Sequence, residues 1–433
     1  MRQVSPFDLN LRHLRALDAI VRHGRMRAAA LAVNLSQPAL TQGLARMERQ
    51  LGVALFERRP DGVVPTPAGA GMAERAVRAF HHLGEATRRA THSGTRGFAR
   101  ADGLMTATQL RALLALADTG SFVASAAATG LTEPSLHRAV RDLEQIVGVA
   151  LADRRGRGLQ LTEAGRRLAR GARLAAAEID AGIADLAGEA GRDASTRIVV
   201  GAMPLARARV LPAAIAAFQR SGSGATIDVV EGSWRELVEP LHDGVIDLTI
   251  GALREEPPAG LVQHPLFEDR LVVVGRAGHP LAGSDPDIER LARYPWIVGS
   301  PGSPLRHQWE AMFAGHAPAA PIECGSVMVI RGILLDGNLL TLLSPDQVAV
   351  EIAGGLLTVI GAPLTGAIRT VGITSRADWR PSAAQARLVD MLVEAAGTSG
   401  NAIGRPVNRL EPLAGLPVAP DHGAEPDSAD RAG

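Results

Sequence analysis

The chain has 433 residues, too many for a single hydrophobic core and enough for about three domains. With 46% hydrophobic and 21% charged residues it falls outside the disordered class, and its single cysteine, Cys324, excludes an intramolecular disulfide and a cysteine-based metal site. The net charge of +1 hides an uneven spread, because arginine, which supplies all 46 basic side chains, outnumbers the acidic residues in the first 170 positions and not in the rest; a basic part joined to one that is not basic is a layout of nucleic-acid binders that carry a sensor.

The start, MRQVSPFDLN, has no basic-then-apolar leader, and no apolar run approaches the roughly 18 residues needed to cross a bilayer. The expectation is a cytoplasmic protein with no membrane partner.

The stretch LSQPALTQGLARMERQLGVALFERR from Leu35 returns as LTEPSLHRAVRDLEQIVGVALADRR from Leu131. At a shift of 96 positions without a gap, about 23 of 56 pairs between Leu14/Leu110 and Gly69/Gly165 are identical, so a domain is duplicated. Each copy opens on a helix whose apolar stripe is Leu11, Leu14, Leu17, Ile20 and Val21, echoed by Leu110, Leu113, Leu114 and Leu116, and which ends at Gly24 or Gly120. A short alanine-rich helix follows, over 27–33 and 123–129. Ser36 and Thr132 then read as N-caps, with Pro38 and Pro134 just inside a third helix that runs to Leu51 and Val147. Residues 55–66 and 151–162, each with a central glycine, read as two-stranded wings.

Longer helices are expected over 67–90 and 163–190. In the second, Leu168, Ala172, Ala175, Ile179 and Leu186 recur at near-heptad spacing, which suits pairing with another helix, although packing on its own domain is the plainer alternative. THSGTRGFARADG at 91–103 has the composition of a flexible linker. From Thr196 short β-branched runs alternate with helical stretches, which predicts a parallel-rich α/β domain of about 200 residues in two lobes. The tail after Ala396 is predicted to be disordered.

A helix-turn-helix sets its second helix in the major groove with the N-terminal residues against base edges. Copy one supplies Ser36, Gln37, Pro38, Thr41, Gln42 and Arg46 on that helix, with Arg58 and Arg59 on the wing. Glutamine donates and accepts toward adenine, and arginine pairs with guanine or phosphate. Copy two offers Thr132, Glu133, Ser135, His137, Arg138 and Arg141, with Arg154 and Arg155 on its wing. A carboxylate near phosphates is unfavourable unless it accepts from a cytosine amino group or pairs with arginine. Copy two therefore reads a different half-site or has become a partner-docking module; its basic residues favour DNA. The predicted domains are 9–69 and 105–165 (winged helix-turn-helix), 70–90 and 166–190 (linker helices), 91–104 (flexible linker), 196–395 (effector domain) and 397–433 (disordered).

In two-lobed α/β domains ligands sit in the crevice at strand ends, beside free helix N–H groups. Ala202 and Met203, Ser233 and Trp234, and the GSPGSPLR segment with Ser300, Ser303 and Arg306 have that form; the last suits a carboxylate or sugar hydroxyls. Ordinary capping and turn chemistry is the alternative for each. No P-loop, nucleophile elbow or His/Glu metal spacing is present, and His81 and His82 are adjacent and so diverge on a helix. No catalytic residue, metal site, cofactor or enzymatic activity is expected.

Both copies resemble the winged helix-turn-helix of LysR-type transcriptional regulators, in GRMRAAALAVNLSQPALTQGLARMERQLGVALFER and GSFVASAAATGLTEPSLHRAVRDLEQIVGVALADR. IVVGAMP, EGS, GVIDLTIG, PLFEDRLVVV and GHPL resemble the effector domain of the same family, so the likeness spans residues 9–395. It implies a two-lobed, periplasmic-binding-protein-like sensor, linker helices that pair subunits, and double-stranded DNA and a small-molecule effector as partners, with RNA polymerase and a homo-oligomer as further ones. The GSPLR and PLFEDRLVVV segments look like members tied to sugar and aromatic-acid catabolism. The departures are Arg25 in place of the family's serine, which Ser121 keeps, Glu133 and Ala152 in place of glutamine and phenylalanine, and two winged domains where members have one. Half-sites lie about 34–36 Å apart or a multiple of that. The 91–103 linker reaches at most about 45 Å, so one chain is expected to form a pseudo-dimer on an asymmetric site, with tethering raising the effective concentration of the second head to about millimolar. The alternative is a protein-interaction module in which the second winged domain docks a partner.

Overall fold

The duplication recurs as two sets of hydrogen bonds related by the same 96-residue shift. Glu48 accepts from the Leu55 amide at 2.8 Å, and Glu144 accepts from the Leu151 amide at 2.8 Å. Thr66 Oγ1 donates to the Ala54 carbonyl at 2.9 Å and Thr162 Oγ1 to that of Ala150 at 2.8 Å. Gly69 and Gly165 lie so close to the chain that a Cβ would fall 1.8 Å from the Leu55 carbonyl oxygen and 2.0 Å from that of Leu151. These contacts lock each wing to the helices on either side, which explains why the glutamate, threonine and glycine recur in both copies.

The computed structural model describes residues 4–60, 62–90, 101–155, 158–189, 197–314, 316–364 and 368–399. Copy one comprises α1 (Leu11–His23), α2 (Met26–Ala32), α3 (Gln37–Leu51), the antiparallel wing β1 (Phe56–Arg59) and β2 (Gly62–Pro65), and α4 (Pro67–Ala90). Copy two repeats it with α5 (Ala107–Thr119), α6 (Phe122–Thr129), α7 (Glu133–Val147), the wing β3 (Ala152–Arg155) and β4 (Gly158–Leu161), and α8 (Glu163–Glu189).

The two copies are not beads on a string. One apolar core runs through both, from Leu14, Leu17 and Ile20 through Met72 and Leu83 to Leu113, Leu143 and Leu168. The long helices α4 and α8 form its most extensive helix–helix contact, and they run antiparallel: Gly171 faces Ala86, while Gly182 faces Met72 and Arg75. The near-heptad residues Leu168, Ala172, Ala175, Ile179 and Leu186 are all buried in this seam. The short turn Pro6–Asp8 that leads into copy one packs on α5 and α8, and the turn Ala101–Gly103 that leads into copy two packs on α4. Each unit thus holds the other's lead-in. Flexibility expected up to residue 104 is corrected at this point: Ala101 is buried and Asp102 pairs with Arg15 at 2.9 Å. The rest of that linker, 91–100, lies outside the described residues.

The third part is β5 (Arg197–Ala202), α9 (Val210–Arg220), β6 (Thr226–Glu231), α10 (Trp234–His242), β7 (Leu248–Ala252), β8 (Leu261–Arg270), β9 (Val272–Arg276), α11 (Ile288–Ala292), β10 (Trp296–Val298), α12 (Pro304–Met312), β11 (Ile322–Glu323), α13 (Val327–Asp336), β12 (Leu340–Leu343), α14 (Ala349–Ala353), β13 (Leu357–Ile360), β14 (Ile368–Arg376) and α15 (Ala383–Ser399). Two five-stranded sheets form the two lobes, in the orders β6-β5-β7-β14-β8 and β11-β10-β12-β9-β13. Both are mixed rather than parallel-rich. The chain crosses between lobes at β8–β9 and β13–β14, and the strands beside each crossing, β14 and β9, pair antiparallel with their neighbours. Residues 397–399 continue α15 instead of opening a disordered tail, and 400–433 lie outside the described residues.

Candidate nucleic-acid interface and effector crevice

Helix α3 is started by its cap. Ser36 accepts from the Ala39 amide at 3.3 Å, and Gln37 and Pro38 fill the first turn. Ser36, Gln37, Pro38, Gln42 and Arg46 are exposed, Thr41 is half-buried, and Arg58 and Arg59 are exposed on β1. The opposite face, with Leu40, Leu44, Met47 and Leu51, is buried. His13 of α1 lies against Gly43, and burial, followed by the Arg46 charge, holds its imidazole below the ordinary range.

Helix α7 has the same backbone presentation. Its cap Thr132 has φ −73° and ψ 149°, against −75° and 148° for Ser36. Glu133, Ser135, Arg138 and Arg141 are exposed. His137 is half-buried because its ring stacks on Phe122 with centroids 3.6 Å apart, and its Nε2 lies 3.7 Å from Glu133. Thr132 and Ser135 share a hydroxyl hydrogen bond of 2.8 Å. Arg154 and Arg155 occupy β3, as Arg58 and Arg59 occupy β1.

A second polar centre lies where α4, α8 and the effector domain meet. Arg75, 5% exposed, donates to Glu178 at 3.0 Å, to Asp185 at 3.2 Å, and to the carbonyls of Arg380 at 2.7 Å and Pro381 at 3.0 Å. Arg78 pairs with Glu178 at 2.8 Å and donates to the Asp378 carbonyl. Burial alone would raise the Glu178 carboxyl, but the His82 imidazole 3.9 Å away, the hydrogen bond from Arg78 and the charges of Arg78 and Arg75 pull it down to about 2. Arg380 returns the contact by pairing with Glu74 at 2.6 Å. On the other flank Arg170 of α8 reaches Glu239 at 3.1 Å and Asp243 at 2.5 Å. None of these residues was a sequence-level candidate, since each partner lies far away in the chain.

In the effector domain the expected residues do stand at strand ends and helix starts. Ala202 and Met203 are buried where β5 ends, Ser233 caps α10 in a capping box with Glu236, and Trp234 sits under the Arg254 guanidinium at 5.4 Å. Ser300 is exposed, and Ser303 caps α12 by accepting from the Arg306 amide at 3.3 Å. Arg306 has protein partners of its own: its guanidinium is held by Glu310 at 2.7 Å and Glu323 at 3.1 Å and lies over Trp309. The lobes are tied to each other by residues that belong to no sequence motif. Arg209 pairs with Asp346 at 2.9 Å, and Ser344 donates to Asp269 at 2.6 Å. Burial pushes the Asp346 carboxyl up against the pull of Arg209.

The family profile described as "Bacterial regulatory helix-turn-helix protein, lysR family" matches twice, at 11–70 and 107–166, and the "LysR substrate binding domain" matches 191–397. The chain belongs to the LysR family of transcriptional regulators. This LysR-type regulator is 31% identical over 385 residues to the HTH-type transcriptional regulator GalR of Pseudomonas putida, covering 88% of this chain and 96% of that one. It is 28% identical to PcaQ of Agrobacterium fabrum over 295 residues, 66% of this chain and 94% of the relative. Among solved structures, ArgP from Mycobacterium tuberculosis superposes with a TM-score of 0.52 at 22% identity, over 66% of this chain and 96% of that one. A full-length OxyR variant from Pseudomonas aeruginosa gives 0.50 at 23% identity, over 68% and 95%. These two likenesses show the fold. The LysR-type regulator is thus a DNA-binding protein with an effector-binding domain and not an enzyme. Among the described residues no helix is long and apolar enough to cross a membrane.

Proposed function

We propose that one chain of this regulator grips both halves of its operator, one with α3 and one with α7, and that a small acid or sugar held between the effector lobes alters that grip. The observation that carries the reading is the antiparallel α4–α8 pair, whose close contacts exchange under the 96-residue shift: Gly171 on Ala86 corresponds to Gly182 on Arg75. Such a pair places two winged units about a local twofold, as a dimer of separate chains would, and half-sites with twofold symmetry are what such an arrangement meets. The Arg75–Glu178 centre joins the same pair to the effector domain and supplies a route by which lobe closure reaches both heads. Self-association of chains that each hold their own duplex, and contact with RNA polymerase, belong to the same reading.

Sedimentation of the full chain with short duplexes tests it. One chain bound per duplex carrying both half-sites, with affinity falling when either half is scrambled, is the expected result. Unchanged affinity after scrambling one half would overturn it. Thermal melts across small acids and sugars identify the effector, because ligand bound to the folded state raises its stability by mass action.

A further inference from the structure

We infer that the second head reads a cytosine–guanine half-site, with Glu133 accepting from a cytosine amino group and Arg138 donating to a guanine, where the first head reads adenine with Gln37 and Gln42. The inference deepens the two-headed reading above and rests on it. The backbones that present α3 and α7 match in cap, cap dihedrals and the glutamate that braces the wing. The difference between the heads is therefore chemical: in the first two turns it falls on Gln37 and Glu133, Ala39 and Ser135, Thr41 and His137, and Gln42 and Arg138, and further along on Ala45 and Arg141 and on Arg46 and Asp142.

Glu133 is exposed in the first turn of α7, and among the described residues no arginine pairs with it. The ionisable neighbour it does have is His137, which the Phe122 ring holds flat against α6. The stack anchors the imidazole beside the carboxylate one turn earlier. An ionised carboxylate only accepts hydrogen bonds. It is repelled by the acceptor atoms of guanine and by thymine O4, and in the major groove cytosine presents a donor and no acceptor of its own, whereas adenine sets its N7 acceptor beside its amino group. Arg138 and Arg141 are exposed and form no ion pair among the described residues, so both guanidinium groups are available to base edges and phosphates. Arginine is matched to guanine O6 and N7, whereas glutamine is matched to adenine N6 and N7.

Selection of bound duplexes from a random library by the full chain tests the inference. The wild type is expected to select a bipartite, asymmetric site with C·G pairs confined to one half. The variant Glu133→Gln/His137→Thr/Arg138→Gln gives copy two the side chains of copy one at these three positions, and is expected to replace the C·G pairs of the second half-site with the A·T pairs of the first. It should lose about 5- to 150-fold in affinity for the wild-type site per base contact removed. The reciprocal exchange, Gln37→Glu/Thr41→His/Gln42→Arg, is expected to replace the A·T pairs of the first half-site with the C·G pairs of the second, which keeps the test decisive if one variant folds poorly. A bipartite site whose second half is unchanged in the first variant overturns the inference and leaves the two-headed reading standing. A wild-type site with only one half overturns both.

Discussion

Gly171 meets Ala86 with no space for a side chain: a Cβ on the glycine would fall 2.2 Å from the alanine methyl and 2.8 Å from the His82 carbonyl oxygen. Alanine in place of a helical glycine ordinarily adds about 1 kcal/mol of stability through helix propensity. Overpacking in a seam costs about 1–3 kcal/mol, and one of the atoms met here is backbone and cannot swing away. Gly171→Ala is therefore expected to destabilise the chain, and Gly171→Leu to do so more severely, as measured by urea denaturation. A stabilised Gly171→Ala protein would show that α4 and α8 are not packed this closely.

Arg75 touches α4's partner helix and the effector domain at once, from a buried position. Removing one member of a buried ion-pair group costs about 3–5 kcal/mol, because the partners remain buried without compensation. Arg75→Met should lose stability in that range and separate the melting of the effector domain from that of the winged units in calorimetry. A single unaltered transition would deny Arg75 a coupling role.

Glu178 makes the same centre sensitive to acid. Its folded value of about 2 lies below the ordinary 4.5, so its contribution is fully present above pH 4.5 and is lost as pH falls toward 2. A depression of that size corresponds to about 3 kcal/mol. Burial raises the carboxyls of Asp180 and Asp247, with Asp247's charge adding to the push on Asp180, and those groups favour the fold as pH falls. The useful quantity is thus the difference between wild type and Glu178→Gln, which should shrink between pH 4.5 and 2. Parallel stability curves over that window would refute the assignment.

Arg58 projects from the first wing into solvent. A phosphate contact there means that Arg58→Ala weakens binding to all sequences about equally. The slope of log affinity against log salt should also fall by about 1. Fluorescence anisotropy at several salt concentrations would decide it; an unchanged slope removes Arg58 from the interface.

The repeat made the winged units legible, since caps, glycines and the wing-bracing glutamate recur with one shift and leave no freedom in the local fold. The partner of α8 was not legible. Near-heptad spacing in Leu168, Ala172, Ala175, Ile179 and Leu186 says that a helix pairs but not with what, and α4 carries a small-residue face instead of a matching leucine stripe. Arg75 and Glu178 were invisible for a related reason: 103 positions separate them, and a buried arginine looks like any surface arginine in a chain that has no lysine. The tie on Arg306 was readable, because Glu310 follows four residues later on the same helix face. Strand order escaped the sequence, since β-branched runs do not reveal whether a neighbour runs parallel or antiparallel.

The effector domain docks against the pair through Arg75, and the residue at the corresponding place in copy two is Gly171, where an arginine has no volume to occupy. A protein assembled from identical subunits sits equally well on its site after a half-turn. Under the two-headed reading proposed above this chain does not, so its seat on the duplex would have a left and a right, with the effector domain always toward the same half-site.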